Sequence, residues 1–237
     1  IETFHLRIED PNIQLFDGSY DDCVIRITTD AGLSGIGEAE SFAPALQAIV
    51  HGPSAHNHAR GLAEVLLGRD PTQVAELWHE LYEATNYVGR RGLSMHALGL
   101  VDLALMDLKG KAEGKPVRAL LGGARHTRIP AYGTIYPMER APEAVTHQVA
   151  DRVNRLRLRH IKFCADPWWM DDLALTGKRL EAARAVIGPD AALIVDAALS
   201  YHTAEEGLRL FPAYKKVNLL FLEAPLPLDD VAGHAEM

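Results

Sequence analysis

Apolar and polar positions alternate with two different periods along the chain, and the change of period divides it. In DDCVIRITTD, Cys23, Ile25 and Ile27 fall at alternate positions with Val24 and Arg26 between, the two-residue repeat of a half-buried strand. DAG then makes a turn and LSGIGEAE returns, which predicts a hairpin. Helical spacing follows in ALQAIVHG, in HARGLAEVLLG and in DPTQVAELWHELYEA, where Asp70 is the expected N-cap and Pro71 the first helical residue. SMHALGLVDLALMDLKGKAEG carries Met95, Leu98, Val101, Leu105 and Leu108 on one stripe, with a helix end expected near Gly110. Strands first and helices afterwards make residues 1–125 an α+β unit.

Beyond LLGGARHTR, strand and helix alternate. RIPAYGTIY, LRHIKFCA, AALIVDA and VNLLFLEAP read as strands. APEAVTHQVADRVNRL, MDDLALTGKRLEAARAVIG and TAEEGLRLFPAYKK read as helices, and LDDVAGHAEM opens another. Thr203 and Glu206 have the spacing of a capping box. Four repeats of about 30 residues predict parallel βα units, the first half of a TIM-type barrel over residues 126–237. A dinucleotide-binding sheet is set aside, because GLSGIGEAE lies in a hairpin and lacks the GxGxxG spacing.

Composition narrows the function. The 237 residues carry a formal net charge of −8, against the basic face of a nucleic-acid binder. No apolar run is long enough for a membrane span. The N-terminus IETFHLRIEDP lacks the profile of a signal peptide. The two cysteines, Cys23 and Cys164, make neither a disulfide framework nor a zinc motif, and a reducing cytoplasm is the expected location.

Candidate chemistry comes from where the parallel strands stop. Barrel side chains alternate between lumen and helix layer, and active sites lie at the C-terminal strand ends. In LRHIKFCA, His160, Lys162 and Cys164 share the lumen face, with Ile161 and Phe163 on the other. Asp196 closes AALIVDA and Glu223 closes VNLLFLEAP. A lysine and two carboxylates therefore converge from successive strands, one βα unit apart. An acid at a strand end is commonly a helix cap. Two of them, each closing an aliphatic strand, repel unless a cation lies between them. Mg²⁺, which takes oxygen ligands and leaves positions for water and substrate, satisfies that need. Lys162 is read either as a charge-balancing ammonium or as a base whose pKa its neighbours lower. His51, His56 and His58 are read as a solvated loop, and Asp102 and Asp107 as structural partners of backbone or of Lys109 and Lys111.

GLSGIGEAE, GRRGLSMHALGLVDLALMDLKGKAEGKPVRALLGG, IPAYGT, HIKF, LIVDA, FLEAP and LPLDDVAGHAEM together resemble the enolase superfamily, in its mandelate racemase and muconate lactonizing enzyme branch. The resemblance runs along the whole chain. It implies an α+β capping domain (1–125) on a TIM-type barrel and a Mg²⁺ held by three acids, two matching Asp196 and Glu223. It also implies removal of the proton α to a carboxylate through an enediolate, by a Lys or His base. The segment FDGSYDD, with Tyr20, resembles a lid over the substrate. Arg90 and Arg91 of GRRG lie on a loop that the resemblance carries over the barrel mouth, where either can pair a substrate carboxylate. Trp168 and Trp169 are candidates to wall the pocket.

The sequence departs from the family pattern in three places. Lys-x-Lys on the second barrel strand is reduced to one lysine, Lys162 aligning with the first and Cys164 with the second; Lys162 can also be taken as the second, with His160 before it. Ala198 replaces the Asn that commonly follows VDA. A third acid and a later His–Asp base are expected beyond Met237, so the chain reads as the first part of a longer polypeptide. The expected activity of the whole is a Mg²⁺-dependent lyase that dehydrates a small-molecule acid sugar, working as a homo-oligomer without nucleic acid or membrane. A racemase, epimerase or cycloisomerase, and a non-catalytic relative, are the alternatives.

Overall fold

A computed structural model describes residues 1–9, 19–89, 91–136, 139–164 and 171–237, with backbone alone at 8, 9, 19 and 20. These residues divide into two compact units, Ile1–Thr127 and Arg128–Met237.

The first unit opens with three antiparallel strands in the order β1-β2-β3: β1 (Glu2–Glu9), β2 (Ser19–Thr28) and β3 (Ser34–Glu40). The β2–β3 pair is the expected hairpin, with Gly32 left-handed in its turn. Strand β1 was not read from the pattern. Five helices follow: α1 (Ala43–His51), α2 (Leu62–Leu66), α3 (Val74–Ala84), α4 (Leu93–Glu113) and the short α5 (Val117–Leu120). Cys23, Ile25 and Ile27 of β2 are buried in one core with Ala97, Leu98, Val101, Ala104, Leu105 and Leu108 of α4. Helix α4 lies unusually close to β3. A Cβ on Gly35 would overlap the Ala104 carbonyl oxygen, and one on Gly37 the Leu100 carbonyl oxygen. Bare backbone in GLSGIGEAE is what admits the helix.

Two helix boundaries differ from expectation. Helix α3 starts at Val74 with Gln73 as N-cap, because Asp70 spends its side chain on a tighter turn, accepting from the Thr72 amide (2.9 Å) and hydroxyl (2.7 Å). Helix α4 runs past Gly110 to Glu113 and ends at left-handed Gly114. The Lys115 amide returns to the Gly110 carbonyl (2.8 Å), where a side chain at 110 would crowd the Lys115 oxygen. Asp107 behaves as expected: it accepts from Lys111 (2.7 Å) and from the Ile36 amide (2.9 Å), tying α4 to β3. No described helix is long and apolar enough to cross a membrane.

The described residues of the second unit alternate strand and helix: β4 (Tyr132–Ile135), α6 (Pro142–Leu156), β5 (His160–Cys164), α7 (Leu173–Ile187), β6 (Leu193–Asp196), α8 (Ala204–Lys216), β7 (Phe221–Glu223) and α9 (Val231–Glu236). The strands are parallel, in the order β4-β5-β6-β7. Ile135, Ile161, Phe163, Leu193 and Val195 are buried with Val145, Val149, Leu180, Ala183 and Leu210 of the helices. This is the helix-side face predicted for Ile161 and Phe163. Thr203 caps α8, accepting from the Glu206 amide, and Glu206 returns to the His202 amide (2.7 Å) rather than to that of Thr203. At the N-terminal ends of the strands, Arg184 of α7 donates to the carbonyls of Val217 (2.9 Å), Gly188 (2.9 Å), Ala191 (2.6 Å) and Asn218 (3.1 Å). One guanidinium thus fixes the loops entering β6 and β7 and leaves the opposite strand ends for chemistry.

Candidate active site

Register decides which side chains meet. Cys164 on β5 is opposite Asp196 on β6, which is opposite Glu223 on β7. One step back along the same face, Thr134, Lys162, Ile194 and Phe221 are aligned across all four strands. The lumen row predicted for His160, Lys162 and Cys164 is therefore a row of the sheet, closed at its C-terminal rim by the two acids.

The hydrogen-bond ladder continues past the strand ends. The Ala197 amide donates to the Glu223 carbonyl (2.9 Å), Leu199 to Ala224 (2.8 Å) and Tyr201 to Pro225 (3.1 Å). These bonds hold the two acidic ends side by side. They go with a left-handed backbone at Ala198 (φ 47°), Leu199 (φ 60°) and Ala224 (φ 42°), which costs each of these non-glycine residues about 1–2 kcal/mol. The Ala198 amide donates to Asp196 Oδ1 (3.0 Å), so the turn aims the carboxylate directly.

The other oxygen of Asp196 faces Lys162. Lys162 Nζ lies 3.2 Å from Asp196 Oδ2 and 3.1 Å from Glu223 Oε2. The lysine side chain is only 13% exposed, against 17% for Asp196 and 39% for Glu223. Burial pulls the ammonium pKa down, but the hydrogen bonds and charges of Glu223 and Asp196 outweigh it, and the net shift is upward. Of the two readings of Lys162 this favours the charge-balancing ammonium: its neighbours are anions, and they favour the charged lysine. In this arrangement Lys162 is a fixed positive charge and a poor base.

The donor set is all oxygen, and both carboxylates are already turned onto one positive charge. That suits a hard divalent cation in donor type and in convergence. No group of three His, Cys, Asp or Glu side chains able to hold a metal occurs among the described residues. His51, the last residue of α1, bonds Thr3 Oγ1 (2.9 Å), and His56 stands edge-on to Tyr87.

The remaining candidates are less determined. Cys164 is buried at the rim, beside Asp196 in register. Arg91 is exposed in the loop before α4. Arg90, Trp168, Trp169 and the side chain of Tyr20 lie outside the described residues, as do residues 16–18 of FDGSYDD. One contact at the acid pair was missed from the sequence. The Tyr132 ring on β4 has Lys162 Nζ 5.7 Å from its centroid. No charge or motif in IPAYGT marks that tyrosine.

Comparison with known proteins matches this geometry to a family. Residues 19–122 match the mandelate racemase/muconate lactonizing enzyme N-terminal domain, and residues 144–237 match the enolase C-terminal domain-like family. The chain belongs to the mandelate racemase/muconate lactonizing enzyme branch of the enolase superfamily. The L-talarate/galactarate dehydratase of Salmonella typhimurium is 29% identical over 216 residues, 90% of this chain and 51% of that protein. The arabinonate dehydratase of Saccharolobus solfataricus is 31% identical over 207 residues, 86% of this chain and 52% of that protein. A solved racemase from Streptomyces coelicolor A3(2) with bound magnesium has a TM-score of 0.85 at 28% identity, covering 99% of this chain and 64% of that one. The chain spans about half the length of the curated relatives it matches. Its two units are the family's N-terminal α+β cap and half of its parallel β/α barrel.

Proposed function

We propose that the intact protein removes the proton α to the carboxylate of an acid sugar, giving an enediolate, and then expels the β-hydroxyl: a Mg²⁺-dependent dehydration. The observation that carries this reading is the convergence of Asp196 and Glu223, register partners on neighbouring strands, on one cationic nitrogen. The dehydratases among the relatives support the substrate class.

Asp196 and Glu223 are the residues that would hold Mg²⁺. When bound, it supplies positive charge to the substrate carboxylate, where charge develops as the α-proton leaves. The chain's own residues do the rest. Without a metal, the two acids favour the charged form of Lys162 and it balances their charge; with their oxygens turned to a cation, its ammonium would be free to offer a donor to a developing anion. On the alignment that places Cys164 at the family's second lysine, no ammonium is available there. The proton acceptor is therefore assigned to other residues of the intact protein. Arg91, with Arg90, is assigned to the substrate carboxylate, and Tyr20 to the segment that covers it. A homo-oligomer is the proposed assembly.

Incubation of the intact protein with a panel of acid sugars and Mg²⁺ should release a 2-keto product, and EDTA should stop it. Absence of turnover across the panel, together with no exchange of the α-proton in deuterated water, would overturn the reading. Exchange without 2-keto product favours racemisation or epimerisation, the second reading, which the magnesium-bound racemase supports. Asp196→Asn should weaken Mg²⁺ binding, measured by calorimetry, by more than about 100-fold, since even indirect partners of metal ligands cost 10–100-fold. Unchanged affinity would remove Asp196 from the ligand set.

A further inference from the structure

One side chain from each of the four parallel strands reaches the same nitrogen. Lys162 of β5 supplies it, Asp196 of β6 and Glu223 of β7 accept from it, and the ring of Tyr132 on β4 lies against it. The two acids account for one side of the ammonium only. Glu223 stands two strands from Lys162, about 9–10 Å of sheet, so the lysine leans across β6 to make the bond. A four-carbon stem with freely rotating bonds does not hold such a lean by itself. Tyr132 stands on the opposite neighbouring strand, level with His160 and one step below Lys162 on the same face. Its distance of 5.7 Å from ring centroid to Nζ is inside the range in which an ammonium is attracted to a ring face.

We propose that Tyr132 is a positioning residue: the face of its ring holds the Lys162 ammonium against the Asp196–Glu223 pair from the β4 side. The ring does this without adding a charge or a competing acceptor, so the two carboxylates remain the only anions at the nitrogen among the described contacts. The ammonium and a divalent cation need the same carboxylate oxygens. A ring that favours the seated lysine therefore sets how readily a cation replaces it, a consequence that rests on the metal reading above.

The test uses the intact protein labelled with ¹⁵N-lysine, the Lys162 ammonium signal being assigned by its loss in Lys162→Arg. Native protein and Tyr132→Phe should share a ring-shifted signal, and Tyr132→Leu should move it toward the position of solvent-exposed lysines. Calorimetry with Mg²⁺ alone should then give a Kd roughly two- to fivefold lower for Tyr132→Leu than for native protein, with Tyr132→Phe unchanged. Tyr132 is 44% exposed, so neither substitution empties a core position. A native-like Lys162 signal in Tyr132→Leu overturns the proposal. So does a Tyr132→Phe variant that shifts as far as Tyr132→Leu, since the hydroxyl and not the ring would then be responsible. If native protein binds no Mg²⁺, the metal reading fails and the ammonium signal alone decides the role of Tyr132.

Discussion

Asp102 sits partly buried on α4, and burial raises its carboxyl pKa above the ordinary value. An acid with a raised folded-state pKa binds its proton more tightly folded than unfolded. Its contribution to stability is therefore full below the unfolded value and is lost as pH rises through the folded one. At neutral pH the charged form is a burden, and Asp102→Asn should raise the melting temperature at pH 7. The gain should vanish in a melt at pH about 3, below the carboxylate range. Equal gains at both pH values would place the effect in packing instead of charge. At this same scale, the candidate site was only partly legible. Asp196 and Glu223 stood out because each closes an aliphatic run, where a carboxylate has no packing reason to be. The charge state of Lys162 depends on distances that no spacing rule supplies, so the sequence left the ammonium and the base both open. Arg184 and Tyr132 stayed hidden for a related reason. Neither belongs to a motif, and their partners are backbone carbonyls and one ammonium brought together only by the fold.

Among the elements, α4 against β3 shows why particular glycines are needed. Gly37→Ala would drive a methyl into the Leu100 carbonyl of a helix that is itself buried, so strand and helix must separate. The cost should be about 3 kcal/mol, lowering the melting temperature by about 6–12 °C. Gly99, on the same helix, has no atom within 4 Å of an added Cβ. Gly99→Ala should stabilise by about 1 kcal/mol through helix propensity. If calorimetric melts show the two substitutions shifting in the same direction, close approach is not what fixes the glycines of β3. Strand β1 explains the one strand the pattern did not announce. Its apolar residues Phe4 and Leu6 are 40% and 49% exposed, while Thr3 and His5 stand opposite the buried Ile25 and Cys23. The alternation is present but inverted, and the strand is held by its ladder and by contacts such as Gln47 with the Thr3 carbonyl (3.4 Å). Helix α4 outran its expected end because Gly110 reads as a stop signal in sequence, yet is kept small by the returning chain at Lys115.

At the scale of the whole molecule, strand–helix alternation with one period made the parallel unit readable before any motif was considered. Register then converted that reading into a site, since a shift of one residue in β6 or β7 would turn Asp196 or Glu223 toward the helices. If the intact protein acts on an acid sugar as proposed, the acid pair with its single lysine has a consequence for the order of binding. Two carboxylates and one ammonium carry an excess of one negative charge at the strand rim. An acid sugar is itself an anion and would meet like charge there, beside a lysine and an aspartate that are only 13% and 17% exposed. The sugar should therefore bind second, after a divalent cation has inverted the sign of the rim. Initial-rate measurements with Mg²⁺ and acid sugar both varied should show a compulsory sequence, in which saturating sugar fails to bind metal-free protein. Tight sugar binding in the presence of EDTA would contradict that sequence. Under a metal-first sequence the rim acts as an electrostatic turnstile, closed to anions until it is charged with metal.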